Sequence, residues 1–139
     1  MDPGLTSGYV IVAGDVLYRH GELSPMEMCN TIEREAVKVD AEKTFVYERF
    51  QMTSGSSKMS PQPHALEIIG VMKYYAHVYS IPLFEQRPVD AKRFSSDKKL
   101  KEYGLYATGM DHARDAARHY LLWRVKQEGL PRGIDFGAR

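Results

Sequence analysis

The sequence is poor in cysteine, in long apolar runs and in net charge. Cys29 is the only cysteine, so neither an internal disulfide nor a zinc site built from cysteines can form within one chain. Its neighbours Met26, Met28 and Ile32 favour a thiol packed in the core over a reactive one. No apolar run approaches the ~20 residues of a membrane span, and the first residues lack the pattern of a secretory signal. We therefore expect a cytoplasmic protein.

The composition indicates one folded domain. Hydrophobic residues make up 43% of the 139 residues and charged residues 27%, which is typical of a globular chain. The net charge of +1 sums 19 basic and 18 acidic side chains, so it does not exclude nucleic acid as a partner. We expect one domain over residues 1–128 and a flexible tail over 129–139.

Hydrophobic periodicity predicts an alternation of strands and helices. The predicted elements are a hairpin over residues 9–13 and 16–22, a helix from 25 to about 39, a strand over 44–47, a helix over 64–79, a strand over 81–86, basic helical turns over 88–103 and a helix over 111–128. Residues 52–63, rich in serine and proline, are expected to form a mobile loop. This order predicts an α/β fold with a mixed sheet flanked by helices.

One strand is missing from this prediction. A hairpin followed by parallel crossovers normally pairs around a first, central strand, which would have to lie before Asp2. The chain begins at the last residues of such a strand. We therefore expect either a first strand truncated at the N-terminus or a compensating feature elsewhere.

Acidic residues stand at three places where the chain changes direction. Asp2 precedes Pro-Gly, Glu48 ends the strand at 44–47, and Asp111 with Asp115 opens the last helix. Because sites in open α/β sheets gather at the carboxyl ends of strands, the first two can converge. At ~100° per residue, the helix places four polar groups in one sector, namely Asp111, Asp115, His119 and His112.

Such a set of ligands suits divalent metal ions. Carboxylate oxygens bind Mg²⁺, and imidazole can join them for Mn²⁺. A pair of ions can activate water on one side of a phosphodiester and stabilise the leaving oxygen on the other. In this hypothesis Asp2 bridges both ions, Glu48 binds one ion, and His112 with Asp115 holds the other.

Each of these residues also has a simpler interpretation. Asp2 can belong to an ordinary Asp-Pro-Gly turn, and Glu48 can pair with Arg49. Asp111 can be a helix N-cap, while Asp115 and His119 can form an i,i+4 pair on a solvated helix. The basic segment between residues 85 and 101 can likewise be a solvated surface. No single one of these residues therefore distinguishes a metal site from an ordinary structural role.

The combination of motifs is more specific. The Asp-Pro-Gly opening at Asp2, the strand ending in Glu-Arg-Phe at 48–50 and the His-Ala-Arg-Asp-Ala run at 112–116 resemble RuvC-type Holliday-junction resolvases of the RNase H-like superfamily. The segments Ala-Leu-Glu-Ile-Ile-Gly at 65–70 and Pro-Val-Asp-Ala-Lys-Arg-Phe at 88–94 resemble the small, phage-encoded members of that group. The resemblance spans nearly the whole chain.

This resemblance implies a metal-dependent endonuclease that cuts four-way or other branched DNA, in recombination, replication or packaging. It implies two Mg²⁺ ions, replaceable by Mn²⁺, on Asp2, Glu48, His112 and Asp115, with support from Asp111 and His119. It also implies a homodimer, and DNA phosphates are expected to contact Lys92, Arg93, Lys98 and Lys99.

Three points stay open at this stage. The helix at 64–79, with Tyr74, Tyr75 and Tyr79, is the candidate dimer interface, but core packing would explain these tyrosines as well. Met52 or Met59 could act as an apolar wedge in a junction. The same ligands would also suit a nuclease acting on RNA–DNA hybrids or flaps, and a catalytically inactive nucleic-acid-binding relative would keep the same fold.

Overall fold

The predicted order of elements is confirmed by a computed structural model, which describes residues 1–39, 41–51 and 63–129. Strands and helices alternate after an initial hairpin, and the last helix is the longest of those described. The elements are β1 (Ser7–Ala13), β2 (Val16–Leu23), α1 (Pro25–Val37), β3 (Phe45–Glu48), α2 (Pro63–Val78), β4 (Leu83–Gln86), α3 (Pro88–Phe94), α4 (Asp97–Glu102) and α5 (Asp111–Glu128).

The hairpin of β1 and β2 closes at a two-residue turn. Gly14 and Asp15 both have positive φ, +57° and +64°, which is the backbone that a tight hairpin turn of this length requires. The two strands are antiparallel, and the register shifts after Ile11, so that β2 carries one extra residue, Tyr18. The predicted hairpin is therefore confirmed.

The second pair of strands is parallel and connected through α2. Phe45 lies opposite Leu83, and Glu48 opposite Gln86, so the carboxyl ends of β3 and β4 coincide. The helix α2 packs against α1 and covers this pair of strands. This is the crossover expected for parallel strands.

Met1 and Asp2 connect the two pairs of strands. Asp2 exchanges two backbone hydrogen bonds of 2.9 Å with Gly8 of the hairpin. On the other side the Met1 nitrogen donates to the Val46 carbonyl at 2.8 Å, and the Glu48 N–H donates to the Met1 carbonyl at 2.9 Å. Two residues therefore occupy the central strand position that the sequence analysis assigned to a longer strand.

Two apolar clusters hold the layers together. The larger one lies between the strands and the helices α1 and α2, and includes Met28, Ile32, Ile68 and Met72. The smaller one packs α4 and the hairpin onto α5, around Leu100, Leu105, Ala117 and Leu121. Cys29 is half-buried against the larger cluster, and burial raises the pKa of its thiol, in agreement with the core interpretation.

Some boundaries differ from the prediction. The first helix ends at Val37 rather than near Val39, and Met110 rather than Asp111 takes the N-cap position of α5, without a side-chain cap bond. The basic region at 88–103 divides into two short helices, α3 and α4. Arg87 is the N-cap of α3 and Pro88 its first residue, and Ser96 is the N-cap of α4. Of the loop predicted over 52–63, residues 52–62, with Met52 and Met59, lie outside the described residues, and Pro63 begins α2. Of the tail predicted over 129–139, Gly129 is the C-cap of α5 and residues 130–139 lie outside the described residues. Within the described part of the chain, no helix has the length and apolarity to cross a membrane.

Candidate active site

Asp2 and Glu48 are brought together by the strand pairing. The Glu48 amide is bonded to the Met1 carbonyl, one residue from Asp2, at the carboxyl end of β3. Asp2 is only 8% exposed, although its carboxyl carries a charge in the ionised form. The pairing therefore buries one carboxylate beside another at the sheet edge, as the sequence analysis expected.

Gly8 sets the approach of α5 to this edge. A Cβ atom at Gly8 would lie 1.8 Å from the carbonyl oxygen of His112, far inside any possible contact. Glycine is therefore required where β1 crosses the first turn of α5. Because Gly8 is also the partner of Asp2, the same close contact brings the start of α5 against the acidic residues.

His112 contacts Asp2 directly. Its Nδ1 lies 2.9 Å from Asp2 Oδ2, and its imidazole is about half exposed. Partial burial lowers the pKa of His112, but the hydrogen bond with Asp2 and the charge of Asp2 raise it by more, so that the net shift is upward. The carboxylate thus favours the protonated imidazole.

Glu48 is held by a buried histidine. The Nε2–H of His119 donates to Glu48 Oε2 at 2.7 Å, and His119 is only 1% exposed. The Gln86 amide, placed with its nitrogen towards the ring, donates to His119 Nδ1 at 3.0 Å. Burial lowers the pKa of His119 despite the charge of Glu48, which fits the neutral tautomer that this chain of bonds requires.

The pKa of Asp2 depends on its burial and on the charged side chains around it. Burial is the largest cause that raises the pKa of Asp2 to about 6; the charges of Glu48 and Asp115 act in the same direction, and the hydrogen bond with His112 acts against them. The carboxylates of Glu48 and Asp115 are therefore close enough to oppose the ionisation of Asp2. Such an arrangement is unfavourable unless a cation is bound near it.

Asp115 is oriented by an arginine that the sequence analysis did not single out. Arg118 donates from Nε to Asp115 at 3.3 Å, and from Nη1 to the Ser95 carbonyl at 2.7 Å. Its Nη2 also donates to Asp97 at 2.5 Å. Arg118 therefore ties Asp115 to the start of α4. The i,i+4 pair of Asp115 with His119 does not form, since His119 bonds Glu48 and Gln86 instead.

Asp111 is not part of this cluster. Its side chain is 81% exposed and forms an ion pair with Arg114. Glu48 likewise does not pair with Arg49, which bonds Glu85 at 3.0 Å. Of the residues predicted to gather at the site, the structure brings together Asp2, Glu48, His112, Asp115 and His119, and leaves Asp111 outside.

The donor types suit a hard divalent cation, but the side chains are paired with one another. Among the residues that the structure describes, no group of three or more His, Cys, Asp and Glu side chains is placed, as it stands, so that it could hold a metal ion. Asp2 bonds His112, and Glu48 bonds His119. Carboxylate oxygens with one imidazole are nevertheless the ligands that Mg²⁺ and Mn²⁺ accept. A cation would also relieve the repulsion that raises the pKa of Asp2.

The predicted basic residues are near the site but differ in availability. A cavity of about 530 Å³ lies between α3, α4 and α5, with Lys92, Asp115 and Arg118 in its walls. Lys92, Arg93 and Lys98 are exposed. Lys99 is half-buried, donates to the Phe94 carbonyl at 3.0 Å and lies over the Phe94 ring. Lys99 therefore supports α3, whereas Lys92 stands beside Asp115.

The fold can be compared with that of solved structures. The structure of Thermus thermophilus RuvC in complex with a Holliday junction substrate matches with a TM-score of 0.65 at 15% identity, over 92% of this chain and 93% of that chain. A second T. thermophilus RuvC structure matches with a TM-score of 0.60 at 16% identity, over 92% and 94%. No protein-family model and no curated protein matches the chain by sequence.

These likenesses establish the fold. The chain has the mixed α/β, RNase H-like architecture, with small sheets flanked by helices. Within that class its arrangement is similar to that of RuvC over nearly the whole length of both chains. The predicted fold class is therefore confirmed.

Proposed function

We propose that the protein is a metal-dependent endonuclease that cleaves branched DNA such as a four-way junction. The observation that carries this proposal is the convergence of three acidic side chains, Asp2, Glu48 and Asp115. Burial first, and then the charges of Glu48 and Asp115, raise the pKa of Asp2 to about 6. A fold similar to that of RuvC, one structure of which holds a Holliday junction substrate, supports the choice of substrate.

Each side chain has a definite part in this proposal. Asp2, Glu48, His112 and Asp115 would hold Mg²⁺ or Mn²⁺. Divalent ions at such a site activate water and neutralise charge on the scissile phosphate. Gln86 and His119 fix the Glu48 carboxylate, and Arg118 fixes that of Asp115. The site therefore combines a half-exposed imidazole, that of His112, with carboxylates whose orientation is set by neighbours.

The basic side chains next to the site would bind the DNA backbone. Lys92 lies in the wall of the same cavity as Asp115, and Arg93 and Lys98 are exposed on α3 and α4. Lysine and arginine hold phosphates without reading the base sequence. This arrangement suits a substrate recognised by its shape.

A two-fold dimer would match the symmetry of a four-way junction. The candidate surface is α2, where Tyr74 is 63% exposed and Tyr79 46%. Tyr75 packs between them and against the larger apolar cluster. A phage origin stays a prediction from the sequence motifs, as does the choice of Mg²⁺ as the physiological metal.

The decisive experiment compares three labelled substrates. A four-way junction, an RNA–DNA hybrid and a linear duplex are incubated with the protein and Mg²⁺ or Mn²⁺. We expect symmetric nicks in the junction, and a loss of at least about 100-fold in rate for Glu48→Gln. Glu85→Gln is the matched control, because it makes the same change on an exposed residue at the neighbouring strand.

The other outcomes have clear meanings. Preferential cutting of the hybrid would move the assignment to a hybrid-specific nuclease of the same fold. Equal rates for Glu48→Gln and the unaltered protein would reject the proposed site. Metal binding without cutting of any substrate would leave a nucleic-acid-binding relative that lacks hydrolysis.

A further inference from the structure

Glu22 of strand β2 faces the candidate site from the hairpin side. It lies directly opposite Gly8 in the ladder, and Gly8 in turn lies opposite Asp2. Residues directly opposite one another in an antiparallel pair point to the same face of the sheet. The side chains of Asp2 and Glu22 therefore project from one face, on either side of a glycine that has no side chain.

Gly8 and Glu22 form a close pair. Gly8 directs both its N–H and its C=O to Asp2, so its pair with Glu22 is the kind without ladder hydrogen bonds. In such pairs the two Cα atoms are about 4.5 Å apart, nearer than in hydrogen-bonded pairs. The side chain of Glu22 therefore begins one short strand spacing from the glycine.

The first turn of α5 lies over this glycine. A Cβ atom at Gly8 would be 2.0 Å from the carbonyl carbon of His112, so the His112 backbone covers the place of the missing side chain. Val10, two residues further along β1, packs against the apolar cluster of α5, in agreement with this choice of face. His112 therefore stands between two strand positions that carry carboxylates, Asp2 on one side and Glu22 on the other.

The charge of Glu22 acts on the His112 ring. Partial burial lowers the pKa of His112, whereas the hydrogen bond with Asp2, the charge of Asp2 and then the charge of Glu22 raise it. The ring itself bonds Asp2 at 2.9 Å. The half-buried Glu22 is thus a second carboxylate close to this ring, contributed by a different strand.

We propose that Glu22 is a positioning residue of the candidate metal site, whose carboxylate holds the His112 imidazole from the hairpin side when Asp2 binds a cation. This inference rests on the proposed function, in which Asp2 and His112 are ligands. A ring nitrogen that binds a cation carries no proton, so the proton is on the other nitrogen and needs an acceptor. In metal sites that acceptor is commonly a carboxylate, which fixes the tautomer and the orientation of the ring.

Glu22 suits this part better than the other acidic groups near His112. Asp2 and Asp115 are proposed ligands themselves, so their oxygens are committed to the cation. Asp111 is 81% exposed and forms an ion pair on α5. Glu22 belongs to a strand whose position is fixed by its pairing with β1. Its carboxylate can therefore orient the ring without being a ligand.

The test measures Mn²⁺ affinity by isothermal titration calorimetry, in the absence of DNA. Glu22→Gln keeps the size of the side chain and removes its charge. We expect it to weaken Mn²⁺ binding by about 10-fold, as is typical when the partner of a metal-binding histidine is lost. Glu85→Gln is the matched control, because it makes the same change on an exposed strand residue that pairs with Arg49, and it should leave the affinity unchanged.

A double-mutant cycle separates this role from a general effect of charge or folding. If Glu22 acts through His112, Glu22→Gln should change the affinity by less than about 2-fold in a His112→Ala background. The 10-fold loss should persist in about 0.5 M KCl, which largely screens the attraction of a distant charge. The melting temperature of metal-free Glu22→Gln should stay within about 2 °C of that of the unaltered protein.

Nitrogen NMR spectra of the His112 ring provide a readout that a purely structural role would not change. In the Mg²⁺-loaded protein we expect one tautomer, because the acceptor of one ring nitrogen determines which nitrogen carries the proton. In Mg²⁺-loaded Glu22→Gln we expect a mixture of the two tautomers.

The possible failures of the two proposals are distinguishable. Unchanged Mn²⁺ affinity in Glu22→Gln, or an equal loss of affinity with and without the His112 ring, would overturn the role of Glu22 and leave the proposed nuclease standing. Absence of Mn²⁺ binding by the unaltered protein would instead overturn the proposed metal site, and the inference with it.

Discussion

Asp15 and Asp2 both contact the last helix from other parts of the chain, and their environments are opposite. Asp15, in the hairpin turn, accepts bonds from Arg124 at 2.8 and 2.9 Å and from Tyr120 at 3.0 Å. Those bonds hold the pKa of Asp15 below its usual range. Asp2, at the other end of the helix, is buried beside two further carboxylates, and its pKa rises to about 6.

The difference separates a structural ion pair from a candidate reactive site. Arg124 neutralises Asp15, so that carboxylate stabilises the fold. Around Asp2 the charges of Glu48 and Asp115 oppose ionisation, so that carboxylate costs stability. A cluster that folding alone would disfavour is a candidate for function.

The largest loss of stability is expected for a substitution at Gly8, where β1 brings α5 against Asp2. Gly8→Ala should destabilise the protein by about 3 kcal/mol or more, because its Cβ would overlap the His112 carbonyl and push α5 away from Asp2. Urea unfolding measures this change.

Gly70→Ala is the control for that substitution. Gly70 lies inside α2, and a Cβ there meets no atom within 4 Å. The same change should therefore stabilise the helix slightly, by about 0.5–1 kcal/mol. Equal effects at Gly8 and Gly70 would contradict the close contact between β1 and α5.

Metal binding should also distinguish Asp2 from Asp15. Mn²⁺ at about 100 times its dissociation constant should stabilise the folded protein by about 2.7 kcal/mol, because it binds the folded carboxylates. Differential scanning calorimetry with and without EDTA measures the shift. Asp2→Asn should abolish the shift and Asp15→Asn should keep it; a shift that persists in Asp2→Asn would place the metal elsewhere.

Removing the structural aspartate should weaken the fold. Asp15→Asn should cost about 2 kcal/mol, because the largely buried Arg124 side chain loses one of its two charged partners and keeps only the exposed Glu128. The usual pKa of aspartate lies above the lowered value of Asp15, so the stabilisation is present above about pH 4 and is lost as the pH falls through the folded pKa. A variant as stable as the unaltered protein at pH 7 would reject this role.

Replacing Asp2, the aspartate of the candidate site, should instead stabilise the fold. A rise in the pKa of Asp2 from 3.8 to about 6 corresponds to a penalty of about 3 kcal/mol at pH 7. This net penalty already includes the favourable bond with His112, and the side-chain oxygen of Asn can still accept a bond from the His112 ring. We therefore expect a net gain of about 2–3 kcal/mol in the metal-free protein, together with loss of cleavage.

The pH dependence gives the sign of that effect. Because the folded pKa of Asp2 lies above the unfolded value, the penalty grows as the pH rises from about 4 to about 6 and is absent below that window. The stability gain of Asp2→Asn should accordingly vanish near pH 3.5 in urea titrations. A gain that is constant from pH 3.5 to 7 would point to packing instead of charge.

The sequence was most informative where one local signal determines an element. Thr108-Gly109 before the helix and Gly129 after it located α5 at Asp111–Glu128, and Gly14 with Asp15 located the hairpin turn. Other boundaries were less certain, as at the end of α1, which stops at Val37 rather than near Val39. Local patterns do not determine such ends.

The partners inside the site could not be read from sequence. Glu48 and His119 are 71 residues apart, and Arg118 reaches Asp97 across 21 residues, so only the tertiary fold brings them into contact. Gln86 could have been found, because it ends the strand next to Glu48 and the carboxyl ends of parallel strands coincide. Its amide is uncharged, however, so the pattern of acidic residues does not point to it.

The link between the two strand pairs also has a mechanical consequence. Four backbone hydrogen bonds, made by Met1 and Asp2 with Gly8, Val46 and Glu48, connect the hairpin to the parallel pair. Any sliding of one pair along the other must strain these bonds and change the spacing between the carboxyls of Asp2 and Glu48. The stiffness of this four-bond link therefore sets how widely the spacing between the two carboxyl groups fluctuates.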